Sequence, residues 1–563
     1  MCADVIDIEE KRLERLSPHE LNLHLMRMPA RKRLEAILQR PDAAAVVAAL
    51  AEQDFYFSIK EIDPEDTLIL LGSARMEQLN FLFDLEWWQK DRVQPAKAVE
   101  WIERLARASD QKLLEWLYQV DFELLVTLFK KWIRVVAAPE DVDPLEAKDQ
   151  LPLHTLDDQY FWEARYVQYE DFFTRLLGTL FEVHYGFYKE LMDHILWATD
   201  VEVEEDAYRF HKARLEDQAI PDFFEALEIY RSVKPEEAVR GKRDEDFRPV
   251  LSSTPSFALA LIPDQDLLGQ SLREIEDPLL LDMLRLELAS LANKVVVADQ
   301  LPPDSPDALH QAVNKVGAYV SLGLQLMNRE RSMPAANILR EVFLEHLFRL
   351  GQGEVAGLRN RFQHEYQQGW LSRWPKGFNC LDSEWMDSAE LLLKKTPRLL
   401  KPASDPLRPP KEDFFRSLED LSRGYRTVDV ISSLDSLFED LNPQPERLQD
   451  ALWPQGIIRS IEDVTLGAML WTAAARFLAE GNWGVEPLSV KRWREVAPLV
   501  EPEAMERVIR ERADRLGLSP AKRELIEVYL LPLFEAYREE MAAFSGDNPP
   551  DPQLMKFFLF KKE

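Results

Sequence analysis

Residues 121–136 read DFELLVTLFKKWIRVV. Phe122, Leu125, Val126 and Phe129 fall at i, i+3, i+4 and i+7, so the whole stretch is expected to form one amphipathic helix. Similar runs precede it. PDAAAVVAAL begins at Pro41, and DPEDTLILLGSA offers Asp63 as a cap with Pro64 at the first helical position. PAKAVEWIERLARA and SDQKLLEWLYQVD follow. Short amphipathic helices joined by tight turns imply a stacked, superhelical array over residues 1–136. LEWLYQ at 114–119 echoes VEWIER at 99–104, without a strict period, so the array is irregular.

Outward from this array the chain stays helical, and the expected fold class is all-α. AAPEDVDPLEAKDQLP (137–152) reads as a linker. HTLDDQYFWEARYVQYED then gathers aromatic residues around an Asp-Asp turn, so at most one small β-hairpin is expected, near 153–168. Helices resume from Phe172 and complete a domain over 153–233. The charged, proline-bearing segment 234–255 is a boundary, and a further helical domain spans 256–395. There Val313, Gly317, Val320 and Leu324 share a helix face, and Gly317 leaves room for a close neighbour. KPASDPLRPPKED (401–413) breaks the chain again before a C-terminal bundle over 412–545 and a tail over 546–563. In that bundle Ser460 and Asp463 form a weak capping box and Gly481 stops a helix. The tail's KFFLFKKE is expected to fold back on the protein.

Composition narrows the function classes. Glycine is scarce: 19 in 563 residues, about half the ~7% of average proteins. Few glycines mean few hairpins and few phosphate-cradling loops. The net charge of −31 opposes nucleic acid, whose binding needs Lys and Arg to displace counterions. It equally disfavours an anionic membrane surface. Cys2 and Cys380 build neither a disulfide framework nor a cysteine-based zinc site, and fit a reducing cytoplasm. The N-terminus lacks the basic-then-apolar order of a signal peptide, and no apolar run nears the length of an integral membrane segment.

Reactive motifs are tested by spacing. His19 and His24 are five apart, and a zinc-binding helix needs four. Gly351, Gly353 and Gly357 form G-x-G-x-x-x-G, one residue too long for a dinucleotide loop, and are expected to end a helix. Glu190, His194 and His211 lack the Glu-x-x-His pattern of di-iron bundles. No catalytic residues, metal site or cofactor are therefore assigned.

EEDAYRFHKARLEDQAIPDFFEALEIY (204–230) packs the most chemistry into one stretch. Pro221 divides it into two helices. In the first, Val203, Ala207, Phe210 and Arg214 fall within about 60° of one another, with His211 at the margin of that face. In the second, Phe223, Leu227 and Tyr230 form the apolar stripe. The charges that remain opposite are solvated i, i+4 pairs. Arg214 on a buried face must find a carboxylate or carbonyls. In LANKVVVAD, Leu284, Leu288, Leu291 and Val295 form a stripe that Val296 and Val297 widen, leaving Asn293 and Lys294 near a core. VNKV at 313–316 repeats the order with Asn314 and Lys315. His211, Arg214, Asn293, Lys294, Asn314 and Lys315 are the candidate lining of a polar pocket.

The 204–230 stretch resembles a signature of a family of large bacterial proteins, a domain of unknown function. KEIDPEDTLILLGSARMEQLNFLFDLEWW (60–88), HTLDDQYFW (154–162) and LANKVVVADQ (291–300) resemble further blocks of it in the same order. That resemblance implies no activity and carries no site residue. The N-terminal array is also similar in pattern to the cytosolic helical domain of the MgtE magnesium transporters, which implies protein–protein contact. The expectation is a cytoplasmic helical scaffold or adaptor acting on protein partners. The alternative is an enzyme or small-ligand sensor with a polar pocket near Arg214 and His211 or near Asn293 and Lys294.

Overall fold

The computed structural model describes residues 16, 18–138, 151–238, 254–375, 377–401, 409–544 and 549–561. The expected linkers at 137–152, 234–255 and 401–413 fall largely outside the described residues, as does Cys2. The chain divides into two compact units, one of Met1–Val320 and Arg331–Arg349, the other of Ser321–Glu330 and Leu350–Glu563.

Among the described residues, the N-terminal part of the first unit holds nine helices. They are α1 (Pro18–Met26), α2 (Ala30–Leu38), α3 (Ala43–Ala49), α4 (Glu52–Glu61), α5 (Thr67–Ser73), α6 (Met76–Trp87), α7 (Pro95–Ala108), α8 (Asp110–Gln119) and α9 (Phe122–Trp132). Several stack on the helix after next: α1 on α3, α3 on α5, α4 on α6, α5 on α7 and α7 on α9. Pro95 opens α7, and the Ser109 hydroxyl caps α8 by accepting from the Lys112 N–H. Helix α5 begins one turn later than Asp63 implies. The Asp66 and Thr67 N–H groups bond the Asp63 carbonyl at 3.0 and 3.3 Å, so 63–66 form a turn first.

The stretch 121–136 also departs from its periodicity. Helix α9 ends at Trp132, and Ile133–Ala137 becomes strand β3. Strands β1 (Trp88–Gln89) and β2 (Arg92–Val93) form a hairpin earlier in the chain. Strands β4 (His154–Thr155) and β5 (Tyr160–Ala164) form the hairpin that the Asp-Asp turn implied, with Asp158 at φ +57°. β3 joins its other edge, Ile133 opposite Ala164 and Ala137 opposite Tyr160. The β-branched run Ile133, Val135, Val136 suits a strand once a partner is present. All-α describes the chain, but the described residues carry four small sheets rather than a single hairpin.

The unit continues with α10 (Glu170–Val183), α11 (Tyr185–Trp197), α12 (Asp200–Asp217), α13 (Phe223–Leu227), α14 (Pro235–Ala238), α15 (Phe257–Ala260), α16 (Leu267–Arg273) and α17 (Pro278–Ala298). Next come α18 (Pro306–Arg331), α19 (Ala335–Glu341) and α20 (Leu344–Gln368). The α17 stripe Leu284, Leu288, Leu291 and Val295 is buried as expected. A Cβ at Gly317 would lie 2.9 Å from Ile262 Cδ1, so the close neighbour is the chain leaving α15. Gly351, Gly353 and Gly357 lie inside α20 and end no helix. Buried Leu347, Val355, Leu358 and Phe362 hold it together through them, since packing outweighs propensity.

Asp54 of α4 is wholly buried. It accepts the backbone N–H groups of Ser256 (2.9 and 2.8 Å) and Phe257 (2.7 Å) and the Asn22 amide (2.9 Å). One carboxylate thus ties α1, α4 and α15 together. Burial pushes its pKa up to about 6 against the ordinary 3.8, and the N–H donors only partly offset this.

The second unit holds α21 (Ser383–Leu393), α22 (Leu418–Ser433), α23 (Asp435–Leu441), α24 (Pro445–Ala451), α25 (Leu466–Glu480), α26 (Trp493–Val496), α27 (Pro502–Arg515) and α28 (Pro520–Ala543), with α25 buried almost all round. Thr465 caps α25, Ser460 and Asp463 box a short 3-10 turn before it, and Gly481 ends it at φ +68°. Strands β6 (Leu399–Lys401) and β7 (Lys411–Asp413) pair antiparallel. The tail folds back. Phe557, Phe558, Leu559 and Phe560 are buried, and β9 (Phe560–Lys561) pairs in parallel with β8 (Leu488–Ser489).

Two expectations follow. Phe558→Ala costs the second unit about 3–5 kcal/mol, read as lost amide-exchange protection in α25 and α28; unchanged protection contradicts the tail's role. For Asp54 the folded state binds its proton more tightly than the unfolded state. The site's contribution is therefore full below pH ~4 and falls by about 3 kcal/mol as pH rises through ~6. Asp54→Asn removes that slope. Its amide can donate to Asn22 Oδ1, which has no partner among the described residues, once the Asn22 side chain turns over. Stability of the two proteins compared across pH checks it, and a pH-independent difference defeats it.

Candidate functional site

Helix α6 is buried on nearly every side, including Gln78, Asp84 and Glu86. Its polar groups must therefore be met inside the protein. Gln78 donates to the carbonyls of Val47 (2.9 Å) and Leu50 (2.8 Å). Glu86 accepts from Lys60 (2.8 Å), Tyr56 (3.1 Å) and Trp101 (3.3 Å). Asp84 receives α12.

Arg214 Nε and Nη2 each donate to Asp84 at 2.7 Å, a bidentate pair, and Nη1 reaches Asp121 at the start of α9. Burial works against the Arg214 charge, but the two carboxylates outweigh it and its pKa lies above the ordinary value. His211 Nδ1 lies 3.0 Å from Asp84 Oδ1, and its ring stacks on Trp88 with centroids 4.4 Å apart. His211 is more deeply placed than Arg214, at 5% exposure. The buried line of α12 is Ala207 and His211, so the most buried side of the helix is turned toward His211 and away from Arg214. In the following helix Ala226 and Ile229 are buried, while Phe224 is 79% exposed. Phe223, Leu227 and Tyr230 of the expected stripe are half-buried beside them.

The other four residues find different partners. Lys315 donates to Asp299 (2.6 Å) and to the Tyr230 hydroxyl (2.8 Å), which itself donates to Asp299 (2.8 Å). Burial and then Asp299 raise the Tyr230 pKa, so that hydroxyl keeps its proton. Lys294 pairs with Glu345 at 2.8 Å. Asn293 donates to the Gln218 carbonyl at 3.2 Å, as Gln53 does at 2.9 Å. Asn314 is also engaged. Of the six, only Asn293 lines a described cavity. It is a space of about 50 Å³ beside Gln53, Tyr56 and Phe257. His194 bonds the Glu190 carbonyl and packs on Phe122, apart from the His211–Asp84 contact. Among the described residues no group of three His, Cys, Asp or Glu could hold a metal ion, and no helix is long and apolar enough to cross a membrane.

A larger space lies elsewhere in this unit. A groove of about 590 Å³ runs between α7, α8 and α10. Its floor is Leu113, Leu114, Phe172 and Leu176, and its rim carries Glu103, Asp110, Arg107, Arg175 and Glu182. Arg107 is paired with Glu65 at 2.6 Å. Gly178 lies inside α10, and a Cβ there would meet nothing within 4 Å. Glycine in a helix interior costs about 1 kcal/mol against alanine, and no packing in the described structure requires it. The sequence reading passed over this groove. Its signal was the paired amphipathic faces of α7 and α10 and a glycine amid TRLLGTLF.

Breaking the buried pair by Arg214→Met costs about 3 kcal/mol, and Asp84→Leu with Arg214→Met costs less than the two single losses summed. A double-mutant cycle by denaturation measures this, and additive losses contradict the pairing.

A family model described as "Family of unknown function (DUF6178)" matches residues 10–561. No curated protein and no solved structure matches the chain.

Proposed function

The chain belongs to the family of unknown function DUF6178, and we propose that it is a helical scaffold or adaptor of the cytoplasm whose groove between α7, α8 and α10 docks another protein. The groove itself carries this reading. It joins an apolar floor to a charged rim, the usual anatomy of a recognition surface. The polar residues that could have marked a reaction centre are engaged in structural pairs: Arg214 with Asp84, Lys315 with Asp299, Lys294 with Glu345. The net charge of −31 favours a protein partner over nucleic acid. A scarcity of cysteine, with Cys380 a buried free thiol, suits a reducing compartment.

The small-ligand reading has one observation behind it. Gln53 Oε1 is buried without a partner among the described residues, and Gln53 lines the cavity beside Asn293. That space of about 50 Å³ holds a few waters at most, whereas ligand sites run to roughly 300–1,000 Å³. The groove is the stronger basis.

A photo-crosslinking amino acid at Thr179, on the groove wall, tests the docking face in native extract, with Phe224 as a distant exposed control. The expected result is a distinct adduct from Thr179 that disappears when Gly178→Trp fills the groove. The identified partner then binds the purified full chain and loses at least about tenfold in affinity to Gly178→Trp. Adducts common to both positions, or insensitive to Gly178→Trp, overturn the reading.

A further inference from the structure

Resting on the groove as a docking face, we infer that its occupant is a basic amphipathic helix presented by a partner protein. Three observations converge on that chemistry.

The floor is apolar where α8 meets α10, with Leu113 and Leu114 of α8 against Phe172 and Leu176 of α10. Such a floor takes the apolar face of a helix laid lengthwise. The charges above it are unbalanced. Glu103, Asp110 and Glu182 make no hydrogen bond or ion pair with any described residue, and Arg175 makes no ion pair. Arg107 is already committed to Glu65. Glu103 still acts on Arg107 through space, so three carboxylates without a hydrogen bond or ion pair stand against one guanidinium without an ion pair, within a chain of net charge −31. Lysines and arginines flanking an apolar stripe complement that rim, and an acidic helix is repelled by it.

The third observation concerns Gly178. Its open surroundings leave the middle of the α10 wall without a side chain. A glycine at that place lets the backbone of a second helix come close. A Cβ built there meets nothing within 4 Å, so Gly178→Trp starts into open space and narrows the groove, and Thr179→Arg adds a cation to the same wall.

The test uses the full chain and labelled peptides of about 16 residues, followed by fluorescence anisotropy at about 0.15 M salt. One peptide carries leucine and lysine at helical spacing. A second replaces lysine by glutamate, and a third scrambles the leucine–lysine order. The expected result is binding of the first peptide alone. Gly178→Trp and Thr179→Arg each weaken it at least about tenfold while circular dichroism and melting temperature hold. Glu103→Gln with Glu182→Gln weakens it severalfold and flattens its salt dependence. Equal binding of the scrambled peptide, preference for the glutamate peptide, or indifference to both groove variants overturns the inference. If the partner adduct from Thr179 remains sensitive to Gly178→Trp while the leucine–lysine peptide fails, the basic-helix assignment falls and the docking face stands. If neither responds to Gly178→Trp, both fall.

Discussion

A carboxylate enclosed by helices is held only if cations or N–H groups from elsewhere in the chain come to it. Asp84 makes that demand at the centre of the first unit. It sits on α6, a helix with almost no solvated side, and it is answered by Arg214 and His211 from α12, more than a hundred positions along the chain. Arg214 extends the link to Asp121, so α6, α9 and α12 are joined by one guanidinium. The stacking of the nine N-terminal helices supplies the apolar area, and this polar contact sets which face of α12 turns inward.

The same device recurs. Asp54 gathers α1, α4 and α15 through backbone N–H groups. Asp299 joins α17 to Tyr230 and α18. In the second unit Asp382, its carboxyl pushed up by burial, accepts from Tyr529. An acidic chain thus spends part of its carboxylate excess as internal fasteners, each with a named donor. The blocks that carry the family likeness coincide with these fasteners: Asp84 and Glu86 in 60–88, His211 and Arg214 in 204–230, Asp299 in 291–300. Their chemistry-rich look is explained by packing.

Much of the fold was legible in local pattern. Pro95 at the start of α7, the α17 stripe and Gly481 as a stop lie where their physics puts them, because each depends on neighbours within a turn or two. The failures share a different cause. Ile133–Ala137 is a strand since β5 offers it an edge, and Gly351, Gly353 and Gly357 stay helical since a long buried face holds α20 together. The candidate pocket was legible only as a set of polar residues near apolar stripes. The groove was hardly legible, because it is made by the space between helices that no spacing rule encodes.

By itself the sequence determined the helical class, the excess of carboxylates, the stop at Gly481 and the need of Arg214 for a polar partner. Tertiary structure decided that this partner is Asp84, that Lys315 and Lys294 serve Asp299 and Glu345, and that three helices leave a groove beside Gly178. Periodicity and capping are set by residues a few positions apart. Which charge meets which, and where helices leave room, depends on contacts between segments tens to hundreds of residues apart, and these exist only once the chain has packed.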